Sequence, residues 1–130
     1  MDQSANKEIV RRIYEEGFNR GNPAIFDELY APDFRHHNKT IHDISAAAAG
    51  EKESMLRFRE AIPDICFRID EQIAEGDKVV ARLTFSGTPV KDFPPIRAGE
   101  PIETRAVAIF RLANGRVAEE WFYREPSSGS

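Results

Sequence analysis

The feature that most constrains this chain is the run from Glu75 to Tyr123, EGDKVVARLTFSGTP followed by a Pro-rich loop and GEPIETRAVAIFRLANGRVAEEWFY. It reads as strand, tight turn, strand, long loop, and two further strands joined through Asn114-Gly115. Alternation is clear in Ile65, Phe67 and Ile69 and again in Val79, Ala81, Leu83 and Phe85, the period of a half-buried strand. Glu75-Gly76-Asp77 and Ala113-Asn114-Gly115 are short glycine-containing hairpin turns. The spacing predicts strands at about 65–74, 78–87, 101–112 and 116–125. Thr88 to Gly99 contains three prolines and is too long for a tight turn. Loops of that length in small domains are usually lids or oligomer contacts.

Helices precede the sheet. Ile9, Ile13 and Gly17 with Val10, Tyr14 and Phe18 form an apolar face over about 6–20. A second helix starts at Asn22-Pro23 and buries Ile25, Phe26, Leu29 and Tyr30, with Pro23 at the first helical position. After the break at Ala31-Pro32-Asp33, residues 34–38 read as a short extended segment. A third helix carries Met55, Phe58 and Ile62 inward and stops at Pro63. Three helices followed by an antiparallel meander define an α+β fold. A curved antiparallel sheet with the helices over its concave face makes a cone with an apolar interior, able to hold one small molecule beside a few polar groups.

Composition bounds the rest. With 130 residues the chain suits one domain, and its net charge of −4 comes without a basic stripe, which leaves nucleic-acid binding without support. No apolar stretch approaches the ~20 residues of a membrane span. The polar, charged start lacks a signal region, and the lone Cys66 excludes an internal disulfide, so a cytoplasmic location is expected. Residues 1–126 are read as a single domain. The serine-glycine tail 127–130 resembles an expression linker, which keeps an engineered origin open.

Several residues carry chemistry in this reading. Trp121, Tyr123 and Glu125 alternate onto one face of the last strand, where two aromatics would wall a flat substrate and a carboxyl would work as acid/base. The alternatives are plain core packing and a solvated carboxylate near the chain end. Tyr14 and Phe18 would close the cone, with the Tyr14 hydroxyl as an oxyanion donor, and Phe26 adds to the apolar wall. His37 would polarise a carbonyl or share a proton with Glu125, or else tie down its strand. His36, next door on an extended segment, would point the other way. His36, His37 and His42 lack zinc-site spacing and no acidic or cysteine partner completes one, so no metal is expected. Cys66 is the nucleophile to test if the protein is a cysteine hydrolase. Its phase against Ile65, Phe67 and Ile69 places it outside a cone that those three face.

The ordered series Tyr30-Ala31-Pro32-Asp33-Phe34 with His37, Ile62-Pro63-Asp64, Glu75 to Arg82, Gly87-Thr88, Ala108 to Arg111, and Asn114 to Val117 through Glu120-Trp121 resembles the SnoaL-like polyketide (ester) cyclases over about residues 7–125. The resemblance implies the cystatin-like α+β barrel of the nuclear-transport-factor-two-like superfamily. It implies cofactor-free proton transfer on a carbonyl compound, as in aldol-type ring closure, by a carboxylate four residues after the family tryptophan. That position is Glu125 here, where the family has aspartate, and the loop after the second of these strands is shortened. Small-molecule binding without catalysis on the same cone is a further reading. Ala106 to Phe110 is apolar on both faces of its strand, and strands of that kind are usually covered on both sides. With helices available for one side only, a homodimer packed sheet to sheet is expected.

Overall fold

The computed structural model describes residues 3–38, 44–92 and 96–125. His42 and the tail 127–130 lie outside them, as does the middle of the Pro-rich loop. Helix α1 (Gln3–Arg12) runs directly into a π-helical segment, Ile13–Asn19, where the sequence predicts α-helix throughout. Helix α2 (Ala24–Leu29) follows a turn in which the Asn22 Oδ1 accepts from the Ala24 N–H at 3.1 Å. Strand β1 (Tyr30–His36) begins earlier than its expected start and takes up Ala31-Pro32-Asp33. Helix α3 (Ala48–Ala61) leads through Pro63 to β2 (Cys66–Glu75), β3 (Lys78–Gly87), β4 (Ile102–Ala113) and β5 (Arg116–Arg124).

The five strands form one sheet in the order β1-β5-β4-β3-β2, antiparallel except for β1 beside β5. Asn114 and Gly115 both take positive φ, 54° and 77°, the pair that a two-residue hairpin turn needs to match the twist of its strands. The inner face of β4 is Ile102, Thr104, Ala106, Ala108, Phe110 and Leu112, every one buried. Opposite it pack Val10, Ile13, Tyr14, Phe18, Ile25, Phe26 and Met55 from the helices. Helices on one face of a mainly antiparallel sheet confirm the α+β architecture.

Two bulges set which side chains face inward. In β5, Arg111 pairs with Glu119 but Leu112 pairs with Val117, so Ala118 is the extra residue. Val117 and Ala118 are both buried, and beyond them the parity changes. Glu120 and Phe122 then sit opposite inward Phe110 and Ala108, while Trp121 and Tyr123 sit opposite outward Ile109 and Val107. A second bulge at Asp70 does the same in β2 and leaves Ile73 58% exposed on the outside. One added residue turns every later side chain to the other face.

Candidate active site

The wider turn of the π-helical segment brings Ile13, Tyr14, Gly17 and Phe18 together on its buried side. Such segments often occur at functional sites. Tyr14 and Phe18 stack with ring centroids 5.7 Å apart, and Phe18 meets Phe67 of β2 at 5.0 Å. Phe67 stacks in turn on Phe85 of β3 at 5.1 Å. With Phe58 of α3 and Phe122 of β5, these rings wall a cavity between helices and sheet. It holds about 60 Å³ of open space, several times the ~10–15 Å³ that one water requires.

The polar end of the cavity is built from three elements: His36 from β1, Glu51 and Ser54 from α3, and Glu120 from β5. His36 and Glu120 are register partners in the parallel pair, and their side chains meet at 3.7 Å from Nε2 to Oε2. Helix α3 is tied to this strand because the His36 N–H donates to the Ala46 carbonyl at 2.8 Å. Its first turn then sits so close to the preceding loop that a Cβ on Gly50 would lie 1.7 Å from the Ser45 carbonyl oxygen. That approach carries Glu51, 3% exposed, to within reach of Glu120, 5% exposed. One ligand atom from each of His36, Glu51 and Glu120 lies within 4.8 Å of the other two, so the trio has the donor set for a metal ion.

Two phenols feel these groups. Burial, then the charges of Glu120 and Glu51, push the pKa of both Tyr14 and Tyr30 well above the usual phenol range. Both therefore stay protonated, and the cavity-lining Tyr14 hydroxyl is a donor at any ordinary pH. Ser54 donates to the Gly50 carbonyl at 2.8 Å.

The residues predicted from sequence divide between two faces. Tyr14 and Phe18 line the cavity, and Phe26 supports them from behind, edge-on to Phe18 at 5.5 Å. Trp121, Tyr123 and Glu125 do not join them. The bulge at Ala118 places Trp121 and Tyr123 on the outer face, and Glu125 follows β5 with its side chain 57% exposed, 3.9 Å from Arg105. The histidines exchange roles. His36 enters the cavity, while His37 lies outside, stacked on Trp121 at 4.7 Å and bonded to Glu119 at 2.8 Å. Glu119 also accepts from Arg111, and that bond first, then His37, holds its carboxyl below the usual carboxylate range. Cys66 is exposed and is not among the lining residues, as its phase implied.

Sequence reasoning passed over Glu51, Ser54, Glu120 and the inward His36. For Glu120 a signal existed: of two adjacent glutamates in an otherwise apolar strand, one must face the core side. Which one depends on the bulge. For His36 the signal was its two-residue spacing from Phe34, which is fully buried.

A mainly antiparallel five-stranded sheet with helices packed on one face, and an aromatic cavity ending in ionisable groups between them, is the nuclear-transport-factor-two-like fold. A family profile for SnoaL-like polyketide cyclases matches residues 8–126. The chain belongs to that family. Among solved structures it is similar to TsrD from Streptomyces laurentii, at 26% identity and a TM-score of 0.85 over 96% of this chain and 91% of that one. A proposed polyketide cyclase from Acidithiobacillus ferrooxidans shows 26% identity and a TM-score of 0.80 over 93% and 88%. A SnoaL-like polyketide cyclase from Agrobacterium tumefaciens shares the fold at 15% identity and a TM-score of 0.78 over 96% and 93%. No curated protein matches the chain. No described helix is long and apolar enough to cross a membrane.

Proposed function

We propose that this protein is an acid/base enzyme that moves protons on a small carbonyl-bearing molecule, in an aldol-type cyclisation or an isomerisation. The observation that carries the reading is the cavity itself: aromatic walls ending in two buried carboxyl groups and an imidazole. A carboxylate there takes a proton from the carbon next to the substrate carbonyl. His36, 3.7 Å from Glu120, relays or returns it. The protonated Tyr14 hydroxyl donates to the oxyanion that forms as the enolate develops. The six rings exclude water and orient a flat molecule. Glu120 thus takes the role that the family resemblance gives to Glu125.

The test is hydrogen exchange in heavy water, with a small aryl ketone such as 2-tetralone as probe. The protein should accelerate deuterium uptake at the carbon beside the carbonyl. Glu120→Gln should lower that rate ~10²–10⁴-fold, the usual contribution of a general base. Glu125→Gln should leave it unchanged. Exchange that survives Glu120→Gln and vanishes with Glu125→Gln would return the role to the last strand's end. A ketone that binds without any exchange would make this a binding domain.

A further inference from the structure

We propose that the substrate carries its oxygen atoms on one edge and bare hydrocarbon on the opposite edge, and that Phe58, Phe67 and Phe85 reject a hydroxyl on that far edge. The inference rests on the reading of this cavity as the substrate site, and adds which carbonyl compounds enter it. It comes from an order shared by three elements that line the cavity. On α3 the lining residues are Glu51, Ser54 and Phe58, at the three- and four-residue spacing of one helical face. Glu51 and Phe58 are therefore about 10 Å apart along the axis, at ~1.5 Å per residue. On β5, Glu120 is followed on the same face by Phe122. On the π-helical segment, Tyr14 is followed one turn later by Phe18. Each element runs from an ionisable side chain to a phenylalanine.

Contacts align the three runs. Tyr14 meets Phe110 at 6.2 Å, and Phe110 is the register partner of Glu120. His36 lies 3.7 Å from Glu120, and the trio His36, Glu51 and Glu120 converges on one point. These groups mark the polar end. At the other end Phe18 meets Phe67 at 5.0 Å, and Phe58 meets Phe67 and Phe85 edge-on at 6.3 and 6.5 Å. Phe67 and Phe85 are register partners as well as stacked rings. The Phe85 row crosses β4 at Thr104 and the Glu120 row crosses it at Phe110, so the axis from polar to aromatic runs along the strands.

The described residues at the aromatic end offer a hydroxyl no partner. Phenylalanine rings carry no hydrogen-bonding atom, and the backbone behind them is engaged. Asn19 takes both the N–H and the carbonyl of Phe67, at 2.7 and 2.8 Å. Arg59 donates to the Phe18 carbonyl at 3.0 Å, and the Ile62 N–H donates to that of Phe58 at 2.8 Å. The buried Thr104 hydroxyl, in the row of Phe85, is not among the described lining groups. A ligand hydroxyl that leaves water for this end loses its hydrogen bonds without replacement. Apolar pockets reject an added hydroxyl by a factor on the order of 10². A ring system oxygenated all round suffers that loss at its far positions. A carbonyl edge backed by a bare aromatic ring matches both ends.

The experiment is calorimetry of the full-length protein with three ketones of one shape: 2-tetralone, 6-methyl-2-tetralone and 6-hydroxy-2-tetralone. The 6-position lies away from the carbonyl, and a methyl and a hydroxyl are of similar size, so their difference reports polarity. The hydroxy ketone should bind ~10–100-fold more weakly than the methyl ketone. Phe58→Tyr adds a hydroxyl at the aromatic end and should narrow that ratio ~2–10-fold. Should this variant fail to fold, the ligand series on the parent protein still decides. Equal affinities, or tighter binding of the hydroxy ketone, overturn the inference. So does a methyl ketone weakened as much as the hydroxy ketone, since selection would then be by size. Binding without preference leaves the proton-transfer reading standing, whereas failure of all three ketones to bind removes that reading together with this one.

Discussion

Asn38 closes two hydrogen bonds on Phe122. Its Nδ2 donates to the Phe122 carbonyl at 2.8 Å, and its Oδ1 accepts from the Phe122 N–H at 2.8 Å. Asn19 does the same to Phe67, at 2.8 and 2.7 Å, from the end of the π-helical segment. Both phenylalanines line the cavity. A side-chain amide thus stands in for a neighbouring strand at each of two cavity walls, satisfying backbone groups that would otherwise lack a ladder partner. Asn38→Ala should destabilise the protein by about 1–3 kcal/mol, because it leaves the donor and the acceptor of Phe122 unpaired. Urea denaturation measures this, and an unchanged midpoint would contradict it.

Gly50→Ala should cost stability as well. The added methyl collides with backbone at the Ser45 carbonyl, which cannot rotate away as a side chain would. Overpacking of this kind typically costs about 1–3 kcal/mol. Since the first turn of α3 carries Glu51, the same substitution should weaken whatever binds at the polar end. A variant with full stability and full ligand affinity would show that this contact is not tight.

Alkaline titration separates the buried phenols from the rest. Tyr14 and Tyr30 have raised pKa values in the folded state, so above the ordinary phenol value of 10.0 the unfolded chain loses protons that the folded one keeps. Stability is fully present below that pH and falls as pH rises past it, by about 1.4 kcal/mol per pH unit for each such group. Phenolate absorbance from two of the three tyrosines should therefore appear only together with loss of near-ultraviolet dichroism. Smooth ionisation of all three in a folded protein would refute this.

The outer sheet face predicts association. Tyr123 is 54% exposed there and Ile73 58%, beside the partly exposed Val107 and Ile109 and the Trp121–His37 stack. Light scattering at micromolar concentration should give twice the chain mass, and Tyr123→Lys should return the protein to monomer. A monomeric parent protein would show that this face is left to solvent.

The architecture was legible because its signals are local. Alternation marks β2 and β3, Asn114-Gly115 marks the last hairpin, and Pro63 marks the end of α3. The site was only half legible. Tyr14 and Phe18 could be found because four-residue spacing survives the change from α to π winding. The parity of β5 could not, because a bulge is a disagreement between two strands and neither sequence shows it alone. Residue 118 is an alanine, small enough to be buried in either direction, and it gives no warning. Glu51 became visible only once β1 and α3 were docked through the His36–Ala46 hydrogen bond.

The extra residue at Ala118 also acts as a parity bit for the whole wall. Loss of that one codon would keep the strand, its hairpin and nearly all of its ladder, yet exchange the two sides of everything after it. Trp121 and Tyr123 would enter the cavity, and Glu120 would go out to water. A pocket of one chemistry and a pocket of another are then neighbours by a single deletion, with no intermediate shape between them. Substitutions could reach the same exchange only by changing four or more positions together. For a scaffold that hosts many reactions, length at this bulge is a shorter route to a new interior than composition.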